Sequence, residues 1–210
     1  MPRYFAIHKP YGVLSQFTRE APHHRTLADL GFDFPRTVYP VGRLDRDSEG
    51  LLLITDDKRL TDRLLNPKYG HRRTYAVRVE GARSQDAEGR LRSGVDIRIK
   101  QRVYRTLPIE VKPLAPTHIA GPLPRNDEYA PFPPRDPPVR FRKSVPDHWL
   151  ELTLTEGKNR QVRRMCAAVG LPVLRLIRTA IEDLTLADLA GQTVKEIDVN
   201  TLYARLKLKS

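Results

Sequence analysis

Charged residues are concentrated in one short loop of the sequence, just before a run of apolar residues. The run is Leu51–Ile54, it follows Gly50, and the five charges in the preceding seven positions are Arg43, Asp45, Arg46, Asp47 and Glu49. A short continuous apolar run of this kind is typical of a fully buried strand. A loop that enters such a strand holds its side chains at a fixed place at the edge of a core, which is what an active site needs. The loop is therefore a candidate active site, and an ordinary solvated turn is the alternative.

The overall charge of the chain makes this acidic loop unusual. The 210 residues include 37 Lys and Arg against 25 Asp and Glu, which gives a formal net charge of +12. A basic surplus of this size favours a polyanionic partner, above all nucleic acid, because neutralised phosphates release counterions. An anionic membrane is disfavoured as a partner, because the sequence has no long apolar span and no basic amphipathic N-terminus.

Length and composition also predict the number of domains, the cellular compartment and the absence of a metal. The length fits one domain over residues 1–210, built as two closely packed lobes. The first residues lack the apolar region of a signal peptide, so we expect a cytoplasmic protein. The single cysteine, Cys166, cannot form an internal disulfide or a cysteine cluster, and the six histidines show no metal-binding spacing. We therefore expect no metal.

A second cluster of charges lies on a predicted helix and consists of Arg160, Arg163 and Arg164. The helix is predicted from an apolar stripe at helical spacing, formed by Val162, Met165, Cys166 and Val169. Asn159 is a suitable N-cap, and Gly170 is a suitable C-terminal stop. Three guanidinium groups at a helix start repel each other and oppose the helix dipole. We expect them to bind anions, either phosphates or a carboxylate such as Asp45.

Other predicted elements flank the two clusters. Asp57 can cap a helix over residues 58–65 that has Leu60, Leu64 and Leu65 on one side. Alternation over residues 73–80 predicts a strand with Tyr75, Val77 and Val79 on one face. Arg78 would lie on the opposite, basic face, directed to solvent or ligand. A Lys-Pro-x-Gly turn leaves Lys9 at a strand end, where it could meet a phosphate; a plain β-turn is the alternative.

Residues 113–146 are dense in proline and carry five basic residues, which are Arg125, Arg135, Arg140, Arg142 and Lys143. Such a segment cannot pair as a sheet or continue a helix. We expect a long basic surface loop. It would serve either as an arm that clamps RNA or as a disordered connector.

Four ordered motifs of the sequence resemble those of the RsuA-type pseudouridine synthases. They are His8-Lys-Pro-Tyr-Gly-Val-Leu, Gly42-Arg-Leu-Asp-Arg-Asp-Ser-Glu-Gly-Leu-Leu, Arg73-Thr-Tyr and Glu156-Gly-Lys-Asn-Arg-Gln-Val-Arg-Arg-Met. Only seven residues precede the first motif, so we expect no N-terminal S4 RNA-binding domain. Among the subfamilies, the sequence most resembles the S4-less RluE type, which modifies large-subunit rRNA. Ser48, Arg73 and Glu182 depart from the family pattern, standing where Thr, Lys and Gly are usual.

The resemblance implies an α+β fold: a central, mainly antiparallel mixed sheet with flanking helices and a central catalytic cleft. It also implies an isomerisation without cofactor or metal, in which the N1–C1′ bond of a uridine is broken and the base is rejoined through C5. Asp45 matches the family's catalytic aspartate, and Arg43 matches the arginine that enters the space left by the flipped base. Tyr75 matches the tyrosine that packs on the target base. Arg163 matches the arginine that pairs with the catalytic aspartate.

The expected partner is rRNA, most of all that of the large subunit, and we expect a monomer. The predicted RNA-binding residues are Lys9, Lys158, Arg160 and Arg164. A non-catalytic rRNA-binding or ribosome-assembly protein would share the basic composition but would not need the acidic loop. An acid–base hydrolase would need a second carboxylate, for which Asp47 and Glu49 are candidates.

Overall fold

The computed structural model describes residues 1–114, 132–140, 142 and 144–208. These residues contain four α-helices, which are α1 (Lys58–Leu65), α2 (Gln85–Arg92), α3 (Gln161–Ala168) and α4 (Val199–Arg205). Their strands are β1 (Tyr4–Lys9), β2 (Val13–Leu14), β3 (Arg25–Thr26), β4 (Tyr39–Pro40), β5 (Glu49–Thr55), β6 (Arg73–Glu80), β7 (Asp96–Ile99), β8 (Arg102–Arg105), β9 (Glu110–Pro113), β10 (Asp147–Leu154), β11 (Val173–Ile181), β12 (Leu184–Thr185) and β13 (Val194–Glu196). None of the helices in these ranges is long and apolar enough to span a bilayer.

The chain divides into two compact units. Unit 1 consists of Met1–Tyr75, Thr153–Lys158 and Leu176–Ser210, and unit 2 consists of Ala76–Leu152 and Asn159–Arg175. Strands β6, β10 and β11 each begin in one unit and end in the other. A single catalytic domain over residues 1–210 stays a prediction.

Strand β5 lies at the centre of the sheet in unit 1. The strand order there is β13-β1-β5-β11, with β4 paired to β5 and β12 paired to β11. All seven residues of β5 are buried, which confirms the predicted buried strand. Because side chains alternate along a strand, Leu51 and Leu53 enter one core cluster with α1 and α4. Leu52 and Ile54 enter a second cluster on the opposite face.

A glycine at the start of β5 allows the neighbouring strand to approach. Gly50 lies opposite Lys9 of antiparallel β1 and opposite Arg178 of parallel β11. Its φ is +107°, and a Cβ there would lie 2.2 Å from the carbonyl oxygen of Arg178. Only glycine fits this conformation and this contact. The close approach fixes the end of β5 at which the charged loop enters.

Unit 2 has its own strand order, β6-β10-β9, and a separate β7-β8 hairpin. The prediction that Arg78 faces solvent or ligand is wrong, because Arg78 is buried. Its guanidinium donates to both carboxylate oxygens of Asp147 on β10, at 2.8 and 2.9 Å. A bidentate partner of opposite charge lets an arginine lie inside a sheet where alternation alone predicts exposure.

The predicted fold class is confirmed, because helices flank a mixed sheet in which the β1–β5, β1–β13, β4–β5 and β11–β12 pairs are antiparallel. The parallel β5–β11 pair makes the sheet mixed. Of the proline-rich stretch, residues 115–131, 141 and 143 lie outside the described residues, and with them Arg125 and Lys143. Residues 132–140 form neither helix nor strand, and Val139 among them is buried.

Candidate active site

The charged loop is a tight turn between β4 and β5. The main-chain N–H of Ser48 donates to the carbonyl of Asp45 at 3.0 Å. Asp45 is half-buried, and the residue before it, Leu44, is buried in the core cluster that contains Leu52. The carboxylate of Asp45 is therefore carried by a turn whose two sides are both anchored, one in the core and one in β5.

A second segment, residues 12–16, is hydrogen-bonded to this turn. The N–H of Gly12 donates to the carbonyl of Arg46 at 2.8 Å, and Nε of Arg46 donates back to the carbonyl of Gly12 at 3.3 Å. Nη2 of Arg43 donates to Oε1 of Gln16 at 3.3 Å, while the Arg43 side chain stays exposed. The predicted stacking arginine thus lies at the surface of unit 1, two residues from Asp45.

Lys9 does not have the surface position that a phosphate contact needs. It is fully buried, and its ammonium donates to the carbonyls of Pro10 at 2.9 Å and Val13 at 2.7 Å. Burial lowers the pKa of Lys9 to about 8, against an opposing effect of Glu49, Asp47 and Asp45. The charge is retained at neutral pH because these carbonyls and carboxylates replace water. The structure gives Lys9 the role of fixing the turn after β1.

Tyr75 and the charged loop meet at one hydrophobic cluster of unit 1. Tyr75 is half-buried and packs against the cluster formed by Phe5, Ile7, Val13, Leu27, Val38, Leu44, Leu52 and Ile54. Leu44 in this cluster is the neighbour of Asp45. Packing against a shared core brings the predicted base-stacking ring and the predicted catalytic carboxylate into the same region of unit 1.

Helix α3 in unit 2 begins differently from the prediction. It starts at Gln161, and Arg160 is the capping residue, with φ at +49° and no hydrogen bond from its side chain to the helix start. The predicted cap, Asn159, instead accepts a hydrogen bond from Nη2 of Arg164 through its side-chain oxygen at 3.2 Å. The predicted buried stripe of Val162, Met165, Cys166 and Val169 is confirmed.

The basic side chains around α3 differ in how far they are available to a ligand. Arg160 and Lys158 are exposed. Arg164 is half-buried, and its Nη1 donates to the carbonyl of Arg98 at 2.5 Å. Arg163 is also half-buried, and its Nη1 donates to the carbonyl of Val173 at 3.3 Å. The exposure favours Arg160 and Lys158 as phosphate contacts over Arg164, which holds the start of its own helix.

Three other kinds of chemistry find little support among the described residues. Among the residues that the structure describes, no group of three or more His, Cys, Asp or Glu side chains is placed to hold a metal ion. Cys166 is buried, which raises the pKa of its thiol to about 12 and removes it as a nucleophile. Glu49, a candidate second carboxylate for a hydrolase, is the first residue of β5 and is buried.

The family model for RNA pseudouridylate synthase matches residues 3–168 of this chain. The chain belongs to this family. The synthase is therefore an isomerase that converts uridine in RNA to pseudouridine, and the predicted reaction is confirmed.

Individual relatives of the synthase extend the match over most of its length. The ribosomal large subunit pseudouridine synthase E of Xanthomonas axonopodis pv. citri is 51% identical over 185 residues, covering 88% of each chain. The protein of the same name from Vibrio parahaemolyticus is 43% identical and covers 92% of this chain and 73% of the relative. A crystal structure of a pseudouridylate synthase, 24% identical, superposes with a TM-score of 0.72 over 98% of this chain and 74% of that one, and shows the same fold.

Ser15 and Gln16 of the synthase, which directly follow the first motif, were the residues of this region that sequence reasoning missed. Ser15 and Gln16 form hydrogen bonds to Leu44 and Arg43, about thirty positions away in the chain. Serine and glutamine are common in loops, so their presence at these positions does not indicate a functional contact. The available signal was the turn at Pro10–Gly12, which shows that the chain reverses here but not which loop it then meets.

Proposed function

We propose that this synthase converts a specific uridine of large-subunit rRNA to pseudouridine, with Asp45 as the catalytic carboxylate. The observation that carries the proposal is the anchoring of the Asp45 turn at the entry to buried β5, with Tyr75 packed against the same core cluster as Leu44. The choice of large-subunit rRNA is supported by the names of the two relatives at 51% and 43% identity.

The positions of Asp45, Arg43 and Tyr75 support their proposed parts in the reaction. One carboxylate is sufficient for the chemistry, because Asp45 can attack C1′ of the ribose or accept a proton from it. The target nucleotide must first leave its stack. The exposed guanidinium of Arg43 is available to enter the space that the base leaves, and Tyr75 presents a ring for the extruded base.

We further propose that Arg163 pairs with Asp45, on the basis of the family motif Gln-Val-Arg at residues 161–163. A guanidinium forms strong, directional hydrogen bonds to a carboxylate. Such a pair would hold Asp45 ionised and oriented toward the sugar. Arg160 and Lys158 are proposed to bind RNA phosphates, because both are exposed and both belong to the same motif as Arg163.

The decisive experiment is the substitution Asp45→Asn. It keeps the size of the side chain but removes the nucleophile, so release of tritium from C5-labelled uridine in rRNA should stop. RNA affinity should stay the same or rise slightly, because a negative charge is lost near phosphates. Asp47→Asn is the matched control, two positions away in the same turn, and should keep most of the activity. Normal turnover by the Asp45→Asn variant would rule out the assignment, and a wild-type protein without tritium release would favour a plain RNA-binding protein.

The rRNA target needs a separate test. Pseudouridines mapped across the rRNAs and tRNAs of a strain with and without this gene should differ at one position of the large-subunit rRNA. A difference confined to the small subunit or to a tRNA would overturn the target but not the reaction. Because the proposed substrate is rRNA, we further propose that the synthase acts in the cytoplasm, and that it acts as a monomer. Sedimentation should then give a mass near the 24.1 kDa of one chain.

A further inference from the structure

One buried hydroxyl group pairs with both main-chain groups of the residue that precedes Asp45. Oγ of Ser15 donates to the carbonyl of Leu44 at 2.8 Å, and the N–H of Leu44 donates to the same Oγ at 3.0 Å. Ser15 is only 3% exposed, and Leu44 is 6% exposed. Water therefore has little access to this contact. The hydroxyl satisfies both the N–H and the carbonyl of Leu44, which in a sheet would be paired with a neighbouring strand.

The position of this contact matters because of what lies on the other side of Asp45. Arg46, the next residue, is tied to Gly12 by two hydrogen bonds, so the residues flanking Asp45 are both bound to the segment 12–15. That segment is itself held by the ammonium of Lys9 through the carbonyls of Pro10 and Val13. The main chain that carries the carboxylate is thus fixed from both sides by one short segment of unit 1.

We infer that Ser15 is a positioning residue for the reaction: its hydroxyl sets the direction of the main chain at Leu44 and thereby the place of the Asp45 carboxylate. This inference rests on the proposed catalytic function of Asp45. Both hydrogen bonds of the Ser15 hydroxyl go to the main chain of Leu44 and not to the carboxylate of Asp45. Its effect is geometric, since a displacement of about 1 Å at a reacting group can reduce a rate by about 100-fold.

The chain contains a matched control at the other end of the same strand. Oγ1 of Thr55 donates to the carbonyl of Arg3 at 2.7 Å and accepts from the N–H of Asp57 at 3.0 Å. Thr55 is also 3% exposed. Thr55 therefore also bonds one main-chain carbonyl and one main-chain N–H, although these belong to two residues and the contacts are part-buried, at the end of β5 remote from the charged loop. Loss of either hydroxyl leaves one donor and one acceptor of the main chain unpaired.

The experiment compares Ser15→Ala with Thr55→Val, and includes Ser15→Thr as the variant that keeps the hydroxyl. For each protein we would measure the melting temperature and the affinity for the rRNA substrate. We would also measure the single-turnover rate of tritium release, with enzyme in excess over substrate and at a concentration above Kd. Both hydroxyl deletions should lower the melting temperature by similar amounts, about 2–8 °C. Only Ser15→Ala should lower the single-turnover rate, by about 10- to 100-fold, with RNA affinity unchanged. Ser15→Thr should recover most of the rate.

Three outcomes would overturn the inference. A Ser15→Ala variant with the wild-type rate would show that the contact serves stability alone, as would equal rate losses in Ser15→Ala and Thr55→Val. A rate loss that Ser15→Thr does not reduce at all would separate the effect from the hydroxyl. The Asp45→Asn variant, assayed in parallel, keeps the two proposals apart. If that variant is active, the catalytic assignment fails, and if it is inactive while Ser15→Ala is normal, only the positioning role fails.

Discussion

Helices α1 and α3 are of equal length but begin in opposite ways. Asp57, the capping residue of α1, has an extended backbone, and its carboxylate accepts hydrogen bonds from the N–H groups of Arg59 and Leu60. Arg160, the capping residue of α3, has φ at +49°, and its side chain makes no hydrogen bond to the helix start. One helix start satisfies its free N–H groups with a carboxylate. The other places three arginines where they oppose the helix dipole.

This difference suits α1 to a structural role and α3 to a role in ligand binding. An L-residue in the left-handed region costs about 1–2 kcal/mol, and glycine at residue 160 would avoid the cost. Conformations of this kind persist only where the surrounding structure holds them, and they cluster at functional sites. The start of α1 has a side-chain cap, although Lys58 and Arg59 lie in its first turn. The start of α3 has a capping residue in the left-handed region and no side-chain cap, and it belongs to the motif that contains Arg163. We take the left-handed cap of α3 as support for the proposed RNA- and carboxylate-binding roles of its side chains.

The strongest test of this contrast is an arginine-to-alanine substitution in each helix. Arg163→Ala should reduce the rate of tritium release by about 10- to 100-fold, because it removes the proposed partner of a partly buried carboxylate. The control is Arg59→Ala in the first turn of α1, which is exposed and should leave the rate unchanged. Similar rates for both variants would show that the arginines of α3 have no special part in the reaction.

The capping carboxylate of α1 should matter for stability and not for chemistry. Asp57→Ala removes acceptors for two main-chain N–H groups and for the hydroxyls of Tyr4 and Tyr203. We expect a loss of about 2–3 kcal/mol in the free energy of unfolding, measured in urea. The rate per folded molecule should stay at the wild-type value. A rate loss as large as that of Arg163→Ala would contradict the division into scaffold and site.

The start of α3 should show the reverse trade between stability and binding. Arg160→Gly should raise the free energy of unfolding by about 1 kcal/mol, because glycine adopts the left-handed conformation without strain. The same variant should bind RNA more weakly, with a shallower dependence on salt, because one phosphate contact is lost. Arg160→Ala is the control, since it loses the same contact but keeps the strain. RNA affinity equal to wild type in both variants would remove Arg160 from the interface.

The sequence predicted elements well where neighbours in the chain decide the structure. Helix α1 was predicted with its observed bounds, because Asp57 and the spacing of Leu60 and Leu64 are local signals. Leu65 is an exception, with 46% exposure where the same spacing predicted a buried side. Strand β5 was predicted from its apolar run, and the structure confirms it as fully buried.

Prediction failed where a distant partner decides the environment. Arg78 is buried with Asp147 of another strand as its partner. Lys9 is buried with two carbonyl partners that are near it in the chain, but the carboxylates that favour its charge, Glu49 above all, come from another loop. Neither partner can be identified from a periodicity. The role of Ser15 was missed for the same reason, since its partner Leu44 lies in another loop. Motif matching could select Asp45 and Tyr75 as candidates because a family motif carries such distant information implicitly.

The smallest expected effect concerns the charge of the α1 cap, and it appears as a dependence on pH. Burial raises the pKa of Asp57, but hydrogen bonds from Leu60, Tyr4 and Arg59 outweigh it, so that the net pKa lies below the ordinary 3.8. The unfolded chain therefore takes up a proton at a higher pH than the folded one. The stability that this charge contributes is complete above about pH 5 and is lost as the pH falls through the folded pKa.

Asp57→Asn keeps a good capping group without the charge. The difference in unfolding free energy between wild type and Asp57→Asn should thus be constant from pH 7 to 5 and shrink below pH 4. A difference that does not change down to pH 2 would show that the cap acts through shape alone.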